Sequence, residues 1–166
     1  MCRMERNYIY MVKIMNIIKL IRDNKLLTLG FALCVGLFYH FSFGLIKNYL
    51  LLSFFNFISH VFLTCELEAV VLTLSINLII DLISSLIAAI LPGALFVYII
   101  RRQVFFYSLI SITVFLTLNS RLWKFWKAPD LGMQISALLG PILAALIFVG
   151  SIWLFFKINN HKDRKG

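Results

Sequence analysis

Five long apolar runs dominate the chain, at 26–46, 49–65, 69–100, 103–120 and 131–156, and together they hold a single formal charge, Asp81. Continuous runs of this length, without a period-2 alternation, predict buried or lipid-facing helices rather than strands. At 1.5 Å per residue the first run is about 31 Å long, enough to cross a hydrocarbon core of about 30 Å. Run 49–65 gives about 25 Å, so it reads as a short span or a re-entrant segment. Run 69–100 would reach about 48 Å, too long for one straight crossing. Pro92-Gly93 is its natural interruption, and the expectation is a span at 69–91 followed by a kinked or interfacial piece. Runs 103–120 and 131–156 complete the set, the last with a kink expected at Pro141.

Ahead of the first run, residues 8–22 have an amphipathic helical pattern. Ile14, Ile17, Ile18 and Ile21 share one side, and Lys13, Asn16, Lys19 and Asp23 the other. A basic helix of this kind beside a span is expected to lie along the lipid surface. The expected fold is therefore all-α: one polytopic transmembrane bundle of four or five membrane-embedded spans, an N-terminal interfacial helix and a basic tail at 157–166.

Composition supports this class. Hydrophobic residues reach 61% and charged residues only 14% of 166, with a mean hydropathy of +0.93. A soluble domain of this size has no interior large enough to hide that much apolar surface. Net charge is +9, but the bases cluster at the ends of the runs, where retention on the cytoplasmic side explains them. Nucleic acid is accordingly not an expected partner. The first run is too long for a signal-peptide core and no small-residue cleavage site follows it, so it should remain as an anchor. Cys2, Cys34 and Cys65 are odd in number and widely spaced, implying neither a disulfide framework nor a zinc site.

The charges also bear on topology. Without a crossing at 49–65, twelve Lys and Arg fall inside and four outside, the four being Lys47, Arg121, Lys124 and Lys127. With a crossing there, the split is nine to seven. Four crossings with both ends in the cytoplasm are favoured. In the stretch Arg121–Lys127, bases alternate with Trp123 and Trp126, a mixture suited to anchoring at a lipid–water boundary.

Candidate chemistry centres on Asp81. A carboxylate inside an apolar helix is costly and faces a bundle interior or a wet cavity. Thr73, Asn77, Asp81, Ser84, Ser85 and Ala88 share its helix face, opposite Leu72, Ile76, Ile79, Ile83 and Ile87. Asp81 is expected near the bilayer midplane, either as a proton or cation site or as an interhelical bond. His40 and His60 lie on polar stripes of their own runs, the latter with Asn56, and either could partner Asp81. The three could bind a metal or relay a proton, although no ligand-type spacing joins them. On the last run Ala137, Gly140, Pro141, Ala144 and Ala145 form a small-residue packing face. Thr28, Ala32, Gly36, His40 and Gly44 do so on the first.

Glu66 and Glu68 diverge on a helix and mark a water-facing turn. No zincin, Walker A, nucleophile-elbow or dinucleotide motif occurs, so neither an enzyme nor a cofactor is expected. The segment Asn77-Leu-Ile-Ile-Asp-Leu-Ile-Ser-Ser85, with Pro92-Gly-Ala94 after it, is similar to the Asp-Leu-Ile-Ser stretch of the cell-shape membrane protein family MreD. It also resembles a region of the substrate-capturing subunits of energy-coupling-factor transporters. The likeness spans about 18 residues, and the glycines that flank the aspartate in those families are absent, with Ile80, Ser85 and Ala89 nearby instead, so no site residue is transferred.

The expected activity is non-enzymatic association with another integral membrane protein or with a second copy, as a subunit, regulator or exclusion- or immunity-type factor. Asp81 and the Ala137–Ala145 face are its expected contacts. The alternative is a small ion- or proton-coupled transporter or channel component using Asp81. The Ile-, Asn-, Lys- and Phe-rich composition fits an AT-rich bacterial gene, and hence a bacterial inner membrane with the N-terminus cytoplasmic.

Overall fold

The computed structural model describes residues 3–55, 57, 60, 69–101, 103–119, 122–123, 127 and 131–163. Within them the chain forms five helices and no strand: α1 (Arg3–Asp23), α2 (Lys25–Ser53), α3 (Ala69–Ile99), α4 (Val104–Leu118) and α5 (Leu131–Asp163). Three stretches are long and apolar enough to cross a membrane: Lys25–Ser53, Leu74–Ile99 and Gln134–His161. Where a span is expected over 103–120, helix α4 has 15 residues, about 22 Å.

Local chemistry explains the element boundaries. Asn24 separates α1 from α2 with one extended residue, and its Oδ1 accepts from the Leu26 N–H at 2.9 Å, capping α2. The Thr28 hydroxyl ties the two helices together by donating to the Ile21 carbonyl at 2.6 Å. Helix α2 runs straight through Lys47-Asn48, where the polar pair suggests a break between runs. Nor does Pro92 end α3; it is fully buried inside a 31-residue helix, and Pro141 is likewise buried inside α5. Neighbouring helices support the backbone at such prolines in apolar bundles.

Helix α2 packs on α3 and α4, and α5 packs on α3 and, less extensively, on α4; the α3–α5 seam is the largest. Helix directions follow from the end contacts. Arg22 Nη2 donates to the Tyr98 carbonyl at 3.5 Å, and the Phe105 and Phe156 rings meet at 6.3 Å. The start of α2, the end of α3, the start of α4 and the end of α5 therefore gather at one end of the bundle. Arg22, Lys25, Arg101 and Lys157 make that end basic.

The core is aromatic at its centre and small-residue at its seams. Tyr39 is fully buried, stacks on Phe148 with centroids 4.5 Å apart, and lies 4.8 Å from Phe115. Its hydroxyl donates to the Ala144 carbonyl at 2.7 Å, joining α2 to α5. Gly36 sits so close to α4 that a Cβ there would stand 2.5 Å from the Ser111 carbonyl oxygen. The Ser111 hydroxyl closes the same contact by donating to the Ala32 carbonyl at 2.7 Å.

Candidate functional site: a buried ion pair between α2 and α3

Asp81 lies on α3 with no solvent exposure, and Lys47 of α2 reaches it with Nζ 2.5 Å from Oδ1. Lys47 itself is 12% exposed. Such a pair is stable only when both charges remain together, because removing one leaves the other buried without its counter-charge. Ser84 and Ser85, one turn along α3, are fully buried too. Their hydroxyls turn back on their own helix, to the Ile80 carbonyl at 2.6 Å and the Leu82 carbonyl at 2.9 Å. Asn77 is half-buried one turn before Asp81. The polar face of α3 thus points into the bundle, while Ile79, Ile83 and Ile87 point out. Leu72, on the expected outer side, is buried.

One expectation changes in detail. Lys47 falls between two apolar runs of the sequence, yet it lies inside a continuous helix, six residues before its end, and pairs with Asp81. The signal for it is helical spacing: Ala32, Gly36, Tyr39, Phe43 and Lys47 follow one another by three or four residues, and the first four are all buried. Along α3, Asp81 stands twelve residues from Ala69 and eighteen from Ile99, roughly 18 and 27 Å. Along α2, Lys47 stands about 33 Å from Lys25, so both partners lie far from the basic end.

His40 is partly buried against Phe115 and Phe41, and its buried Nδ1 has no hydrogen-bond partner among the described residues. His60 is exposed. Among the described residues no three His, Cys, Asp or Glu side chains come together as a metal site.

The small-residue face of α5 is spent inside the chain: Ala137, Gly140, Pro141, Ala144 and Ala145 are all buried. On α3, Gly93 completes this seam, since a Cβ there would stand 2.7 Å from the Ser151 hydroxyl. On α2, Thr28, Ala32 and Gly36 are buried, whereas Gly44 has nothing within 4 Å of where a Cβ would be. At the far end Trp123 is exposed and its indole N–H donates to the Thr117 carbonyl at 2.9 Å; Lys127 is exposed as well. Asn56, Arg121, Lys124 and Trp126 lie outside the described residues.

No family model, curated protein or solved structure matches this chain. The short likeness of Asn77–Ser85 to two membrane families therefore carries no assignment, and the geometry of the bundle stands alone.

Proposed function

We propose that this chain is a small multi-pass protein of a bacterial cell membrane, without enzymatic activity, that works by associating through its helices with another integral membrane protein or with a second copy. Four crossings and a cytoplasmic N-terminus fit it best. Helices α2 and α3 are antiparallel neighbours, so the end of α2 and the start of α3 lie at one end of the bundle. The basic end of the bundle matches the side on which Lys and Arg are retained. Helix α4 is some 8 Å shorter than a typical core, a mismatch that tilt or local thinning of the bilayer accommodates. The outer surface suits lipid: Leu82, Ile83, Leu86, Ile87, Ile90 and Leu91 of α3 are each 40–58% exposed, an apolar belt that water would not tolerate. Helix α1 leaves Ile14 and Ile17 exposed, in keeping with an interfacial position.

The observation that carries association over ion transport is the pairing of Asp81. Its carboxylate is sealed from solvent and neutralised by a lysine of the same chain, which suits a strut between two helices. The expected partner contacts at Asp81 and Ala137–Ala145 are taken up inside the bundle, so the partner surface belongs on the outside. Gly30, Gly44 and Gly150 have open space around them, and glycine notches of this kind let a second helix approach closely.

Mild-detergent purification after cross-linking in the membrane tests the reading. It requires a defined membrane protein, or a second copy, in stoichiometric amount, and loss of that species when Gly44→Leu fills its notch. A monomer that conducts protons or cations in proteoliposomes, with conduction abolished by Asp81→Asn, would replace association with the transporter reading.

A further inference from the structure

The basic end of the bundle holds a cavity of about 370 Å³ between the α1–α2 junction and the α3–α4 turn. Its charged lining is Arg22, Lys25, Arg101 and one carboxylate, Asp23. A second cavity, of about 410 Å³, shares Arg22, Asp23 and Arg101 with it and adds Lys19. Three elements thus bring four bases and one acid to adjoining hollows.

Two features of the backbone and side chains leave this positive charge unanswered. Gln103 has a left-handed conformation (φ 52°) and makes no side-chain cap, and the first backbone bond of α4 is Tyr107 N–H to the Gln103 carbonyl at 3.2 Å. The positive end of the α4 dipole therefore opens beside Arg101. Arg22 uses Nη2 on the Tyr98 carbonyl, yet its Nε is buried with no hydrogen-bond partner among the described residues. A guanidinium N–H in that state calls for an acceptor, and an anion at a helix N-terminus flanked by arginines supplies one.

The surroundings say which anion. A third cavity, of about 440 Å³, starts from Arg101 and runs between Phe105, Phe106 and Phe156. Phe105 and Phe106 are 50% and 59% exposed. A charged hollow that continues into an aromatic, outward-open groove has the shape of a headgroup site with room for an acyl chain. Basic pockets between helices at the cytoplasmic face are suited to anionic lipid.

We infer that Arg22, Lys25, Arg101 and the N-terminus of α4 form a phosphate site that takes the headgroup of an anionic phospholipid, with its chain along Phe105 and Phe106. The inference rests on the membrane reading above, and a chain that stayed dispersed in buffer without detergent would remove both. With the protein in dodecyl maltoside, failure of the lipid test removes the site alone.

The test is thermal unfolding of the detergent-solubilised chain titrated with phosphatidylglycerol, phosphatidylcholine or inorganic phosphate at fixed salt. Phosphatidylglycerol is expected to stabilise saturably and phosphatidylcholine not to. Arg101→Gln and Arg22→Gln should each raise the half-saturating concentration about ten-fold, as expected for loss of one charge-assisted contact. Lys157→Gln, at the same end but outside the three cavities, should change it less than two-fold. Arg101 is exposed, so its variant reports even if Arg22→Gln does not fold. Equal losses in all three variants, or no saturation, would overturn the site. Stabilisation by inorganic phosphate alone, lost in the two arginine variants, would keep a phosphate site and overturn lipid as its source.

Discussion

Gly36→Ala tests the tightest helix contact in the bundle. The added Cβ would stand 2.5 Å from the Ser111 carbonyl oxygen and 3.0 Å from the Ser111 Cα, both backbone atoms that no rotamer change can move. Ordinary contact begins near 3.4 Å, so α2 and α4 must part by about 0.9 Å at this level. The same shift would carry the Ser111 hydroxyl, now 2.7 Å from the Ala32 carbonyl, to about 3.6 Å, beyond hydrogen-bonding range. Overpacking costs about 1–3 kcal/mol and the lost bond about 1 kcal/mol, so roughly 2–4 kcal/mol is at stake. Gly30→Ala is the internal control. It lies on the same helix with nothing within 4 Å, and exchanging glycine for alanine in a helix should stabilise by about 0.5–1 kcal/mol. Unfolding in mixed detergent and SDS micelles measures both. Opposite signs are required; equal midpoints for the two variants would refute the close α2–α4 approach.

Tyr39→Phe should cost about 1 kcal/mol in the same assay, since the rings stacked around it stay while the bond to the Ala144 carbonyl goes. A loss above about 3 kcal/mol would mean the hydroxyl holds more than the one bond attributed to it. Cysteines placed at Phe57 and Lys127 should react with an impermeant reagent from one side of the membrane, and cysteines at Lys25, Arg101 and Lys157 from the other. Labelling of Lys25 and Lys127 from the same side, with Arg101 and Lys157 on the other, would mean five crossings.

Much of this architecture is legible in the pattern of the chain because apolar length is a strong signal: among the described residues, the four helices α2 to α5 each overlap a predicted apolar run. Polar punctuation is the weaker guide. Lys47-Asn48 and Pro92-Gly93 both suggest ends of helices, yet a lysine with a buried counter-charge and a proline supported by neighbouring helices each continue one. The inward face of α3 is readable from the spacing of Asn77, Asp81, Ser84 and Ser85. Its partner is not, because pairing Asp81 with Lys47 depends on the register between two helices, which no single run encodes. For the same reason the α5 small-residue face is visible in sequence, but its use within the chain rather than against another protein is not. The basic cavity is assembled from the α1–α2 junction and the α3–α4 turn, which meet where Arg22 reaches the Tyr98 carbonyl, a contact between segments far apart in sequence.

The most direct measurement is a double-mutant cycle on Lys47 and Asp81 in detergent, using Lys47→Met, Asp81→Asn and the combination. If the two charges form a strut inside the bundle, each single change should cost about 3–5 kcal/mol by stranding a buried charge, while losing both together should cost far less than the two losses added. Costs that simply sum would mean that the lysine and the aspartate stand apart, and the account of Asp81 as a structural partner of α2 would fail.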